Sequence, residues 1–543
     1  MKFLLYIFAM FMLLSCAKKE PVDMIIHNGN IHVMNQSLDT VDALAIKNGR
    51  IVAIGSNINI LKKYTSSQVI DAKQREIYPG LHDCHAHLLS LARQEMTVDL
   101  RGTLSYYELI ARLEKYQTKA QRDIIIGRGW DHTLWGETEF PDNDRLNESY
   151  PTTPVALTRI DGHAMLINKA MMDYLGITHH SKIKGGVYLK KKGKLTGILL
   201  DNAVDEVNKK LPKPNKALLA KKFYEVQELL LAHGITTIHD AGLDDEARDF
   251  FIELANQKKL KINIYAMLFP TQGNIEFAKQ HGHYVNGRLT IRSFKMIADG
   301  ALGSRGACLI EPYSDDIHNH GLMVSSYEEL LSNFEIAKQL NYQMNTHCIG
   351  DSANRVVLQL VDSLMRGVQD HRWRIEHAQV VHPGDVKYFR SSGLIPSVQP
   401  THATSDQRWA EIRLGRQRML SEAYLYKSLL DTRGMILFGT DFPIENYDPF
   451  LTIFAATARK NSDNEPAEGF MPKESISLEK TMLAMTAWAA YGCFTEKESG
   501  TLEVGKTATF VILNYPLANF KEFHKNSSWM TFIDGQIVFK RQL

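Results

Sequence analysis

This chain lacks a cysteine framework. Its five cysteines are scattered over 543 residues with no CxxC pair and no regular spacing, which excludes a small disulfide-stapled scaffold. It also lacks an excess of charge of either sign. Lysine and arginine number 63 against 61 aspartates and glutamates, a net charge of +2, so there is no footprint for nucleic acid. The densest basic run, Lys190-Lys-Lys-Gly-Lys194, reads as the solvated tip of a hairpin. Beyond the first sixteen residues no apolar stretch is long enough to cross a bilayer as a helix, and no solenoid-type repeat is present. What remains is a globular balance, 44% hydrophobic and 23% charged. The length suits one large domain with attachments or two to three ordinary ones.

The first sixteen residues read as a targeting segment. Lys2 is the positive start, Phe3 to Leu14 is too short to span a bilayer, and the stretch ends in Leu13-Leu14-Ser15-Cys16. That ending resembles a bacterial lipobox. The resemblance implies a signal peptide over 1–16, lipidation of Cys16 and a tether over 17–22. The mature protein is then expected in the bacterial cell envelope, facing the periplasm, held to a membrane by its lipid alone. An ordinary cleaved signal with a chance cysteine is the alternative.

Residues 23–78 read as strands and turns, with Asn-Gly at 28–29 and 48–49 as hairpin signals. Residues 499–543 repeat the style around Asp534-Gly535, so both chain ends are expected to meet in one small β-sandwich. Between them, 79–498 alternates strand and helix patterns. Eight strand runs are expected, at 77–83, 234–240, 261–268, 292–298, 342–347, 373–377, 394–399 and 435–440. The fold class is therefore α/β, a TIM-type (β/α)8 barrel with the sandwich attached. Residues 99–230 form an insertion after the first barrel strand, too long to be a bare loop and expected to lid the rim.

Metal-type side chains end these runs one strand at a time: His85 and His87, then Lys295, His347, His377 and Asp441. Active sites of such barrels sit at the C-terminal rim of the strands. His-x-His on one strand puts both imidazoles on one face, roughly 7 Å apart. Asp441 adds a hard oxygen, and His347 and His377 could hold a second ion. A protonated Lys295 is expensive to bury, whereas carbamylation by CO2 would turn it into a bridging carboxylate. Imidazole and oxygen ligands suit zinc, with iron or manganese as alternatives, in one or two divalent ions. Strand alternation points Cys84 and Cys348 away from the histidines beside them, as packing residues.

The motifs resemble those of the amidohydrolase superfamily, in its YtcJ-like (amidohydrolase-3 type) branch, which includes N-substituted formamide deformylases. They run along nearly the whole mature chain. Among them are Tyr78-Pro-Gly-Leu-His-Asp-Cys-His-Ala-His87, Gly129-Trp-Asp131, Asp161-Gly-His163, the segment from Lys295 to Arg305, His347-Cys-Ile-Gly-Asp351, Glu376-His377, Gln399-Pro400, Gly439-Thr-Asp441 and Gly500-Thr-Leu-Glu-Val-Gly-Lys506. The resemblance implies a barrel with a split sandwich and a hydrolytic site of one or two metals. By position, His85, His87 and Asp441 would hold the first ion and His347 and His377 the second, with carbamylated Lys295 between them. Metal-activated hydroxide would attack, and Asp441 would take its proton and pass it to the leaving nitrogen. Trp130, Asp131 and His163 match the family's substrate-side motifs, and Arg305 is a candidate for a substrate carboxylate. Thr509 and Thr440 depart from the residues usual at those places.

The expected activity is hydrolysis of a non-peptide C–N bond in a small molecule, such as an amide, N-substituted formamide or cyclic amide. A deaminase on the same metal site is the nearest rival, and a catalytically inactive ligand-binding lipoprotein is the alternative of another class. Assembly as a homo-oligomer stays open. Other histidines read as bystanders: the pair His281 and His283, the pair His179 and His180, and His402. Asp240 ends a barrel strand and reads as packing. Asp299, four residues beyond Lys295, is the competing acid there.

Overall fold

The computed structural model describes residues 19–120, 123–213, 215–517 and 526–542. Segment 1–16 and Cys16 lie outside the described residues. Eight parallel strands form a nearly closed barrel in chain order: Leu81–Ala86, Ile235–Leu243, Asn263–Leu268, Leu289–Ile297, Gln343–Cys348, Arg374–His377, Ile395–Val398 and Leu437–Phe438. These runs are buried along almost their whole length, as parallel strands covered by helices must be. The main core joins Ile238, Ile264 and Ile375 of the strands to Phe223, Phe251 and Phe334 of the surrounding helices.

The barrel closes between its last and first strands. Asp441 N–H donates to His85 O at 2.7 Å, and His87 N–H donates to Phe442 O at 2.9 Å. Asp83 reinforces the seam by accepting from the Thr440 N–H at 3.0 Å and from the Thr440 hydroxyl at 2.6 Å. The seam is tight because residue 439 is glycine: a Cβ there would lie 2.4 Å from His85 N.

One expected barrel strand is divided. Residues 77–83 break at Gly80, whose N–H donates to Thr509 O. Glu76–Pro79 belongs to the sandwich, where it pairs with Phe510–Leu513, and only Leu81–Ala86 enters the barrel. The sandwich has a four-stranded and a six-stranded sheet drawn from both chain ends. Their inner faces meet through Ile26, Leu44 and Ile46 on one side and Ile77, Phe510 and Phe532 on the other.

The insertion carries its own six-stranded mixed sheet, from Val98–Asp99 through Lys194–Asp201. Its hydrophobic cores are separate from that of the barrel. Among the described residues no helix is long and apolar enough to cross a membrane.

Candidate metal centre

The strand ends bring the rim residues together. The ligand atoms of His85, His377 and Asp441 all lie within 4.8 Å of one another, and all three residues are buried. His85 Nε2 is 3.6 Å from Asp441 Oδ1, and His87 Nε2 is 3.0 Å from the same oxygen. Lys295 Nζ is 3.3 Å from His85 Nε2. The His347 ring stands 4.5 Å from that of His377, centroid to centroid, and His377 stands 4.6 Å from His85. His377 and Asp441 both have left-handed backbone, at φ 73° and φ 62°, where the chain turns out of its strand. Non-glycine residues held there carry a conformational cost that concentrates at functional sites.

The donor set fits a cation. Burial drives His85, His347 and His377 well below the usual imidazole range, so each is held neutral, the form that ligates. Burial pushes the Asp441 carboxyl up, but the His87 hydrogen bond and the charges of His87, His402 and Lys295 outweigh it and keep it below its ordinary value. His347 Nε2 and Asp441 Oδ1 are buried without a well-formed hydrogen bond. Neutral nitrogens and an anionic oxygen converging at a largely buried site leave lone pairs that a divalent ion satisfies.

Two of the ligand candidates are held from behind. His85 Nδ1 lies 2.6 Å from Glu376 Oε2, and His377 Nδ1 lies 2.8 Å from Gln399 Oε1. Asp299 is committed elsewhere: its carboxylate accepts from the backbone N–H groups of Cys308, Ile349 and Gly350. It comes no nearer than 3.7 Å to His347 Nε2. Asp299 thus pins the loops around the rim, and Lys295 is the residue that faces His85.

A cavity of about 280 Å³ opens over these residues. The insertion supplies one wall through Asp131, Arg159, Asp161 and His163. His163 Nδ1 is 2.9 Å from Asp201 Oδ1. Burial pulls the His163 imidazole down, but Asp201 and Asp161 outweigh that and hold it at about 9, so it stands over the cavity as a cation. Asp131 ties Arg159, at 2.6 Å, to Arg408 of the barrel helix Pro400–Leu414 at 2.5 Å. The lining also includes the apolar Phe269, Leu302 and Trp409 and the polar Ser405, Asp406 and Glu445.

Two substrate-side expectations are corrected. Trp130 does not reach the cavity; it is fully buried in the insertion's core, with its indole N–H donating to Leu157 O. Arg305 is spent on Asp315 at 2.9 Å and on Thr138 O, away from the cavity. His402, read from sequence as a bystander, lines the cavity with its Nε2 3.6 Å from Asp441 Oδ2 and its ring parallel to His377. Nothing local to residue 402 marks it, because it lies in the first turn of a helix rather than at a strand end. Cys84 packs against Ile395, Leu437 and Ala489, and Cys348 sits in the main core. Asp240 is buried and lines no part of the cavity.

A second buried group of metal-type residues, His82, His239 and Cys493, lies apart from the rim. An ordinary hydrogen-bond chain accounts for its imidazoles. Arg374 donates to His239 Nδ1 at 3.1 Å, and His239 Nε2 lies 3.3 Å from His82 Nδ1.

The sequence model of the amidohydrolase family matches residues 68–539. Protein LONG AFTER FAR-RED 3 of Arabidopsis thaliana is 30% identical, over 95% of this chain and 91% of its own. An N-substituted formamide deformylase of Arthrobacter pascens is 22% identical, over 96% and 98%. Among solved structures, an uncharacterized metal-dependent hydrolase from Pyrococcus horikoshii OT3 superposes with a TM-score of 0.75 at 29% identity, covering 92% of this chain and 99% of that one.

Proposed function

The chain belongs to the amidohydrolase family, and from that premise we propose that it is a metal-dependent hydrolase of a non-peptide C–N bond in a small molecule. The observation that carries this reading is the convergence of His85, His377 and Asp441 within 4.8 Å of one another, in the lining of a cavity at the barrel rim. His87 would join His85 and Asp441 on the first ion, and His347 would join His377 on a second, with Lys295 between the two. When bound, the metal supplies an acidified water and a Lewis acid for the substrate carbonyl. The remaining chemistry belongs to the chain.

Asp441, anionic beside His87, accepts the proton of the attacking water and returns it to the leaving nitrogen. The Lys295 amine is pulled below its usual range by burial, against Glu376 and Asp441. Its neutral form adds to CO2 and releases one proton, giving a carbamate at the position that faces His85 Nε2. His163, held protonated by Asp201, offers an N–H to a substrate oxygen from the lid side. The cavity stands near the low end of ligand pockets, about 300–1,000 Å³, which suits a small molecule rather than a polymer. Phe269 and Trp409 in its lining suit an apolar substituent on that molecule.

The test is metal content together with turnover on N-substituted formamides, cyclic amides and ring amines, following formate, ring opening and ammonia. One or two equivalents of metal with formate release or ring opening supports the reading. Ammonia from ring amines alone would move the protein to the deaminases, and bound metal with no turnover of any member would favour a binding lipoprotein. We also propose lipid attachment at Cys16. The N-terminal peptide of the membrane fraction is then expected to carry a diacylglyceryl mass, lost in Cys16→Ser.

A further inference from the structure

The second His85 nitrogen has an unusual partner. His85 Nδ1 lies 2.6 Å from Glu376 Oε2, and both side chains are completely inaccessible to solvent. We propose that Glu376 is a positioning residue for the metal centre, acting through His85 as the carboxylate that fixes its tautomer and aim. The inference rests on the reading above that His85 holds a metal.

A neutral imidazole carries one ring proton. Given to Glu376 from Nδ1, that proton leaves Nε2 as a bare lone pair. Nε2 is the nitrogen that faces Lys295 Nζ at 3.3 Å and Asp441 Oδ1 at 3.6 Å. Tautomer, ring angle and donor strength of His85 then follow from one hydrogen bond.

Packing alone does not explain Glu376. A carboxylate in a dry interior is costly unless a counter-charge and hydrogen bonds come with it. The chain provides that counter-charge two residues earlier on the same strand and the same face. Arg374 Nη1 lies 3.9 Å from Glu376 Oε1. Its guanidinium is itself anchored, on His239 Nδ1 at 3.1 Å and on the carbonyls of Cys84 and Gly492. An apolar residue would fill the space at 376 without requiring a buried arginine beneath it. The column from Arg374 through Glu376 to His85 is built to keep a charge behind one imidazole. His377 differs, since its Nδ1 meets only the neutral amide oxygen of Gln399. Of these two, His85 is the ligand whose strength depends on a charge.

The experiment measures Zn(II) affinity of the mature full-length protein by competition with a chromophoric chelator. Wild type is compared with Glu376→Gln and with Asp240→Asn, a buried carboxyl outside the site. Glu376→Gln is expected to weaken zinc binding about 10–100-fold. Because Arg374 loses its counter-charge, the variant is expected to be less stable. Affinity is therefore compared on protein shown by circular dichroism to be folded, and the variant's Co(II) form should show an altered visible spectrum. Asp240→Asn should change neither affinity nor spectrum. Wild-type affinity and spectrum in Glu376→Gln would overturn the positioning role while leaving the metal site standing. A wild type that takes up no zinc would overturn the metal reading and this inference with it. If Glu376→Gln does not fold, the zinc-loaded wild type carries the test through 15N resonances of its histidine rings. His85 is expected with a slowly exchanging proton on Nδ1; a bare Nδ1 there overturns the proposal.

Discussion

Replacing Gly439 by alanine should open the barrel where its metal ligands meet. A Cβ at 439 would lie 2.4 Å from His85 N and 2.8 Å from His85 Cβ and O, where ordinary contact begins near 3.4 Å. None of the three atoms is the end of a flexible side chain, so the two strands must part by roughly 1 Å, the difference between 3.4 and 2.4 Å. Overpacking of this kind costs ~1–3 kcal/mol. The same movement strains the two backbone hydrogen bonds of the seam, Asp441 N–H to His85 O and His87 N–H to Phe442 O. Each is worth about 1 kcal/mol. Together these give a loss of roughly 3–5 kcal/mol in urea unfolding of the apo-protein. The second readout is zinc affinity. His85 and His87 stand on one side of the seam and Asp441 on the other, and ligand distances tolerate only about 0.2 Å. A fall of at least tenfold is expected. Unchanged stability together with unchanged affinity would refute the closed seam and its role in assembling the site.

Other perturbations separate packing from chemistry. Trp130→Ala should cost ~3–5 kcal/mol, measured by denaturant unfolding, because the indole fills the insertion's core; Trp130→Phe should recover most of it. Asp240→Asn tests a buried acid. Burial holds the Asp240 carboxyl at about 8, against 3.8 ordinarily. The folded state thus binds that proton more tightly, and its contribution is full below pH ~4 and lost as pH rises through ~8. The asparagine variant should gain on wild type between pH 5 and 8.5, read from urea midpoints at both; a constant difference would contradict the assignment. Asp131 has the opposite sign. Burial raises it, but Arg159 and Arg408 outweigh that and hold it at about 2. Its stabilisation is expected to fade as pH falls from ~4 to ~2, and Asp131→Asn should be insensitive there. Chelation should lower thermal stability and zinc should restore it, by about 2.7 kcal/mol at a hundredfold excess over Kd.

Sequence by itself determined the barrel, the all-β ends and the list of rim residues. The reason is that these are local properties. Strand runs such as Gly234 to Asp240 and Met435 to Thr440 carry their own hydrophobicity, and His85-x-His87 carries its own geometry. Even there, Gly80 divides one expected strand between two sheets, because its own N–H pairs with Thr509 O in the sandwich while the next residue, Leu81, pairs with Gly234 O in the barrel. Only the tertiary structure decided who stands behind and around the rim. Glu376 meets His85 across 291 residues of chain. His402 reaches Asp441 from a helix, Trp130 turns into the insertion's core, and Arg305 is consumed by Asp315. Such pairings arise when the last strand closes on the first and when the insertion folds over the rim. No periodicity within a strand or helix carries that information, since it depends on which surfaces the closed barrel brings face to face.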